Sequence, residues 1–348
     1  MTLTCGRLAT FASVVLTAAL TLATACTPRA QVRQMSGNTW GTVYHITYTS
    51  PTDLSASAIE QMALIDSTLS MFNPASEVSK INDTECPVKV SATFRDIFDL
   101  SVRVNRLSGG AFDPTVAPLV DLWGFGRKDP ADTIPDSLQI RRMLDRVGIA
   151  GCSVSEQNVL IKKHPLTEFD FSAIAKGYGV DCIAATLARA GTKDYMVEVG
   201  GEIALAGKNP RGEPWHIQID APVCTDTVTH QQLTVLTVTD CCIATSGNYR
   251  RWLDTPAGRI SHTISPLTGL PVAGNTVSAS VIAPTCALAD ALATACMAMP
   301  AAEALKMIET VPGEVSAMLV IASGDTPSDS LSVITSKKWP GDRPTSCF

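Results

Sequence analysis

Asp170-Phe171-Ser172-Ala173-Ile174-Ala175-Lys176-Gly177-Tyr178-Gly179-Val180-Asp181 is the stretch around which this chain is organised. An acidic residue and an apolar run lead into Ser172, a residue type that caps helices by accepting a free N–H of the first turn. The helix it opens carries an early Lys176 and little side-chain bulk. Its N-terminus is the positive end of the helix dipole, so the stretch suits phosphate as well as it suits a plain helix start. The residues just downstream strengthen the helix reading. Gly191 sits where a helix closes, and Tyr195–Glu198 then reads as a short strand that turns at Gly200-Gly201 into a return strand beginning Glu202-Ile203.

Outward from that stretch, short strands and helices interleave without a regular βαβ rhythm, which makes α+β the expected class, folded as a single domain. Upstream, Thr39–Tyr48 alternates as a strand. Ile59, Met62, Ile65, Leu69 and Phe72 recur at helical spacing over Leu54–Phe72. Ser76–Asn82 reads as a turn, and Thr93 as the cap of a further helix. Ser108-Gly109-Gly110-Ala111-Phe112-Asp113-Pro114-Thr115 reads as an ordered loop, either a surface turn or a place where backbone approaches a ligand. Downstream, Trp215–Asp220, Leu233–Val238, Ile243–Tyr249 and Ala317–Ile334 read as strands, and Thr285 caps a small-residue helix, Cys286–Met299. Asp290 and Thr294, four apart, share a face of that helix. Their hard oxygens suit Mg²⁺, which accepts few protein ligands and keeps its waters; the alternative is a local hydrogen bond on a packed helix.

The chain has 348 residues, 45% of them hydrophobic and 17% charged, so it can bury a sizeable core. A net charge of −6 without a basic cluster argues against nucleic acid as a partner. At the N-terminus, Arg7 precedes the apolar stretch Leu8–Ala25, which ends Leu22-Ala23-Thr24-Ala25-Cys26. This reads as a secretory signal over 1–25. Cys26 resembles a bacterial lipobox cysteine, to be acylated as the first mature residue. An ordinary signal peptide with an incidental Cys and a retained membrane anchor are the alternatives, and each places the domain outside the cytoplasm. Residues 26–36 then form a lipid-anchored tether reaching about 30 Å at ~3.3 Å per residue, and 37–340 the domain. Of 11 cysteines, loss of Cys5 and lipidation of Cys26 leave an odd number. No C-x-x-C is present, so neither zinc nor a thioredoxin-like motif is supported.

Seven blocks taken together carry more than any one. They are Thr39-Trp40-Gly41-Thr42, Leu69-Ser70-Met71-Phe72-Asn73-Pro74 with Ser76-Glu77, Gly109–Thr115, Ala175-Lys176-Gly177-Tyr178, Glu198-Val199-Gly200-Gly201-Glu202, Thr245-Ser246-Gly247 with Tyr249, and Asp290-Ala291-Leu292-Ala293-Thr294. In this order they resemble the ApbE family of FAD:protein FMN transferases. The resemblance implies a Mg²⁺-dependent enzyme that takes FAD as substrate, moves FMN onto a Thr or Ser hydroxyl of an exported or membrane-bound acceptor protein, and releases AMP. An acceptor motif of the Asp-Gly-x-Thr/Ser-Gly-Ala-Thr kind is absent from this chain. Carried across position by position, the resemblance puts Trp40, Phe72, Ala111, Phe112, Asp113, Asp170, Lys176 and Ile264 at FAD. It gives Mg²⁺ the carbonyl of Ala173 and the side chains of Asp290 and Thr294, and makes His262 and Asp290 catalytic. Two positions depart from the family. Ala293 stands where some members have Asp, and Ser265 replaces the Asp of an Ile-Asp-Pro. A Mg²⁺-dependent FAD pyrophosphatase and a non-catalytic FAD-binding lipoprotein are the alternative readings, on a lipoprotein held at the periplasmic side of a bacterial membrane.

Overall fold

The computed structural model describes residues 29–341 except 86, 128–133, 223–230, 249–251, 256–257 and 323–330. The signal and Cys26, together with Tyr249, Cys86, Cys224 and Cys347, therefore lie outside the described residues. The chain starts with the hairpin β1 (Gln31–Thr39) and β2 (Thr42–Ser50), followed by helices α1 (Ser55–Leu69) and α2 (Glu77–Asn82), the short β3 (Val88–Lys89), and α3 (Ala92–Leu107), α4 (Ala117–Leu122) and α5 (Ser137–Leu144). Next come β4 (Ser153–Val154), β5 (Val159–Ile161), α6 (Ala175–Arg189), β6 (Tyr195–Val199), β7 (Glu202–Ala206), β8 (Trp215–Asp220), β9 (Gln232–Val238) and β10 (Cys242–Gly247). The chain finishes with β11 (Trp252–Thr255), β12 (Gly258–Ser261), β13 (Thr276–Ala283), α7 (Cys286–Met297), α8 (Ala301–Thr310), β14 (Ser316–Ala322) and β15 (Leu331–Thr335).

Eight strands form one sheet, ordered β1-β2-β6-β7-β10-β13-β14-β15. Every pair in it is antiparallel. Strand alternation divides its two faces. Ile243, Ile282 and Met318 bury against the β8–β9 hairpin through Ile217, Ile219 and Leu236. Their neighbours Ala244, Val281 and Leu319 face the opposite way and pack with the small residues of α7. That helix is apolar almost all round because it lies between the sheet and α3.

Four phenylalanines fix the approach to the opening stretch. Phe94 and Phe98 of α3 meet Phe169 and Phe171, with edge contacts at centroid distances of 5.6 Å (Phe94–Phe169) and 5.4 Å (Phe94–Phe171). Phe94, Phe169 and Phe171 are wholly buried, each contributing roughly 1.5–3 kcal/mol by removal from water.

Several expectations shift. Residues 31–36 are not tether but the first two-thirds of β1, paired with β2 from Gln31↔Ser50 onward, so the domain begins at 31 rather than 37. Ladder hydrogen bonds hold this polar segment although its side chains are largely exposed. The turn at 76–82 is the helix α2, whose first turn is capped by the Ser76 hydroxyl, accepting from Ser79 N–H at 3.1 Å. Ser91, not Thr93, caps α3. Ile59 stands exposed on α1, and Ala58 takes its place in the core.

Candidate active site

A cleft of about 810 Å³ opens where the turns of two hairpins meet the N-terminus of α6, the middle of α7 and the loops at 71–73, 111–116 and 262–266. Its size is that of a pocket for a large ligand. Ten of the residues expected at FAD or the metal line it: Trp40, Phe72, Ala111, Phe112, Asp113, Asp170, Ala173, Lys176, Asp290 and Thr294. The remaining two, His262 and Ile264, line it as well.

Trp40 is set by a two-residue turn, Thr39↔Thr42, in which Trp40 and Gly41 both have positive φ, +48° and +75°. This is the hairpin geometry that follows strand twist, but for tryptophan it is a costly conformation. Two contacts hold it there. Its Nε1 donates to the Met62 carbonyl at 3.1 Å, and its ring lies on Gly179, where a Cβ would stand 2.2 Å from the indole. Gly179→Ala is therefore expected to push the ring into the cleft, weakening binding of the expected FAD about tenfold, a loss of about 1.4 kcal/mol, and to lower the melting temperature, because one of the two contacts that hold Trp40 is lost. Equilibrium titration with FAD measures it.

The loop after α3 is tied from within. Gly109 and Gly110 take positive φ, and Phe112 N–H donates to Ser108 Oγ at 3.0 Å. Asp113 is buried, and its carboxylate accepts from Thr115 N–H and Oγ1 and from Ile149 N–H. Burial nonetheless raises its pKa, against those donors. Asp113 thus shapes the cleft wall, and its oxygens are occupied in doing so. Pro114 carbonyl accepts from Asp170 N–H at 2.6 Å, joining this loop to the opening stretch. Phe72 is 64% exposed at the rim. His262 lies edge-on to Phe125 at 6.3 Å. Ile264 is buried above a turn in which Ser265 carbonyl accepts from Gly269 N–H and Ser265 Oγ from Thr268 N–H. The residue that departs from the family pattern therefore closes a turn.

Ser172 does not cap α6. The helix starts at Ala175, after a turn in which Phe171 carbonyl accepts from the N–H groups of Ile174 and Ala175. Asp170 Oδ1 accepts from Ser172 N–H instead, at 2.8 Å. The free donor of the first turn is Gly177 N–H, and Asp290 Oδ2 on α7 takes it at 3.1 Å. The favour is returned: Asp181 on α6 accepts from the N–H groups of Cys286 and Ala287, at 2.8 and 2.9 Å, at the start of α7. Each helix supplies a carboxylate to the positive end of the other. Burial raises Asp181 to about 6 despite those donors.

Beside Gly177, Lys176 Nζ lies 3.0 Å from Glu202 Oε1 and 3.9 Å from Asp290 Oδ2. Glu202 enters the cleft because the Gly200-Gly201 turn, with both φ positive, starts β7 on the helix side of the sheet. Burial works against the Lys176 charge, but Asp290 and Glu202 outweigh it and raise its pKa. Burial raises both carboxylates, with Lys176 opposing. Thr294 Oγ1 is 3.3 Å from Ser246 Oγ on β10. Sequence reasoning did not put Glu202, Ser246 or Asp181 at the site. Glu202 stood inside a quoted block, and the signal for it was its place next to a Gly-Gly turn.

The donor set fits a hard divalent cation. Two carboxylates face one ammonium in a desolvated place, Glu202 Oε2 is buried without a hydrogen-bond partner, and the neutral donors near Asp290 are hydroxyls. Among the described residues no three His, Cys, Asp or Glu converge.

The family model for ApbE matches residues 40–319. The FAD:protein FMN transferase of Haemophilus influenzae is 34% identical over 84% of this chain and 87% of its own; that of Vibrio cholerae is 34% identical over 88% and 93%. Among solved structures, the flavin transferase ApbE from Vibrio cholerae superposes with a TM-score of 0.78 at 32% identity, covering 89% of this chain and 98% of that one. The Pseudomonas stutzeri flavinyl transferase ApbE in its apo form gives 0.77 at 26%, covering 90% and 97%. With a cleft of this composition on a fold shared over most of its length, the chain belongs to the ApbE family.

Proposed function

We propose that this protein is an FAD:protein FMN transferase that moves FMN from FAD to a Thr or Ser hydroxyl of an acceptor protein, forming a phosphoester and releasing AMP, with Mg²⁺ as cofactor. The observation that carries the reading is the convergence of Lys176, Asp290 and Thr294 in one cleft large enough for a dinucleotide, in a chain of this family.

Phosphoryl transfer requires positioning and charge neutralisation more than covalent help from the protein. Asp290, Thr294 and the Ala173 carbonyl would hold Mg²⁺, whose contribution is to neutralise charge developing on the pyrophosphate. Lys176 is kept cationic by its two carboxylates and presents that charge at the N-terminus of α6, where the helix dipole adds to it. Trp40 and Phe72 offer aromatic faces for the flavin or adenine ring, and Ala111, Phe112 and Ile264 offer apolar wall. His262, which lines the cleft, would take the proton of the acceptor hydroxyl. An apolar lining that keeps water from the phosphate favours transfer over hydrolysis.

The same proposal includes export and acylation at Cys26. Because β1 starts at Gln31, residues 27–30 alone would separate the lipid from the sheet, about 13 Å of reach at ~3.3 Å per residue. That is less than half the length expected of a tether ending at 36.

Incubation of the protein with FAD, Mg²⁺ and a protein bearing the acceptor motif is expected to give covalently flavin-labelled acceptor and AMP in equal amounts. AMP and FMN without labelled acceptor would make it a pyrophosphatase, and neither product would make it an FAD-binding protein.

A further inference from the structure

On α7 the cation site is short of negative charge. Asp290 brings one carboxylate, Thr294 brings a neutral hydroxyl, and position 293 is a wholly buried alanine. Glu202 makes up the difference from across the sheet. Its side chain is 4% exposed, and Oε1 is held by Lys176 at 3.0 Å. Oε2 is buried and takes no hydrogen bond. Every polar group set around it points the same way: Lys176 is shared with Asp290, Asp290 Oδ2 is fixed by Gly177 N–H, and Thr294 is braced by Ser246.

A buried carboxylate oxygen left unpaired costs about 1–3 kcal/mol or more, and Lys176 is the ammonium that Glu202 and Asp290 share. Orienting Lys176 would need Oε1 alone, and the neutral amide of a glutamine would serve for that. The second oxygen, buried and without a partner, calls for a cation.

We infer that Glu202 is the second carboxylate of the divalent-cation site, with Oε1 held by Lys176 and Oε2 directed to the ion it shares with Asp290. The inference rests on the Mg²⁺ dependence proposed above and adds to it a ligand from β7. It also accounts for the tolerance of alanine at 293, since the charge count is completed from the sheet.

The test uses the full chain and Mn²⁺ as probe, with free Mn²⁺ followed by electron paramagnetic resonance with and without FAD, and melting curves with and without the metal. Glu202→Gln is expected to bind Mn²⁺ at least about tenfold more weakly, in the range seen when groups supporting a metal are removed. Without metal its melting temperature should equal or exceed that of the unaltered protein, because an unpaired buried charge is gone; the stabilisation by Mn²⁺ should disappear. Glu202→Asp keeps the charge beside Lys176 but withdraws the oxygens by one methylene, and should also bind the metal more weakly. Unaltered Mn²⁺ affinity in Glu202→Gln overturns the inference, and so does unaltered affinity in Glu202→Asp should the glutamine variant not fold. Failure of the unaltered protein itself to bind Mn²⁺ would overturn the Mg²⁺ reading, a different outcome from binding that ignores position 202.

Discussion

Asp290→Ala is expected to lower FMN transfer at least about 10³-fold, the scale on which loss of a preorganised charge-stabilising group acts in a water-excluded site. The carboxylate serves two masters. Its Oδ2 receives Gly177 N–H at 3.1 Å and faces Lys176 at 3.9 Å, which leaves Oδ1 for a cation. Alanine removes the carboxylate proposed to hold Mg²⁺, orphans a helix-start donor and leaves Lys176 with Glu202 alone. Asp290→Asn separates these effects. Its amide oxygen can still accept from Gly177 N–H, so α6 should start where it does now and the melting temperature should stay within a few degrees. The negative charge is gone, so transfer should remain nearly as low as in the alanine variant. Single-turnover labelling of an acceptor, read with melting curves, distinguishes the two. Wild-type rates in Asp290→Ala would sink the metal assignment. An active asparagine variant would mean that the residue matters for holding α6 in place and little for charge.

Much of this site was legible in the sequence because it is built from local patterns. The four-residue spacing of Asp290 and Thr294 places them on one helix face wherever that helix goes, and the Gly200-Gly201 pair between two strand-like runs marks a hairpin turn. The contacts that the sequence did not disclose are those made between elements distant along the chain. Ser172 looked like a cap because serine at that place caps helices when nothing better is near. Here a carboxylate 113 residues from Gly177 is better, and a charge-assisted bond outcompetes a hydroxyl. Glu202 was hidden for the same reason: its partner Lys176 lies on another element, and a glutamate at the start of a strand ordinarily faces water. The strand at 31–36 escaped because its side chains are polar and exposed, while what orders it is backbone pairing with β2, which composition does not report.

Gly177→Ala carries the second large effect, and its sign is decided by two opposed magnitudes. In a helix interior alanine is favoured over glycine by about 1 kcal/mol, so local propensity alone would have the variant more stable. The crossing of α6 and α7 says otherwise. A Cβ at Gly177 would stand 2.4 Å from the carbonyl oxygen of Cys286, 2.7 Å from its carbonyl carbon and 2.9 Å from Ala287 Cα. All three are backbone atoms at the first turn of α7 and cannot rotate away, so the helices themselves must separate. Overpacking of this kind costs about 1–3 kcal/mol. Separation also lengthens the bonds by which each helix caps the other, Gly177 to Asp290 and Cys286 and Ala287 to Asp181, each worth about 1 kcal/mol. The net expectation is a destabilisation of about 2–4 kcal/mol, which at roughly 2–4 °C per kcal/mol lowers the melting temperature by about 4–16 °C. Transfer should fall with it even below the melting range, because Asp290 and Lys176 ride on the two helices that move. Gly191→Ala is the control, since a Cβ there meets nothing but φ is +84°; it should cost about 1 kcal/mol through the backbone alone and leave transfer unchanged. A Gly177→Ala variant as stable and as active as the parent would show that the two helices cross with room to spare, and the account of how Asp290 is held would have to be redrawn.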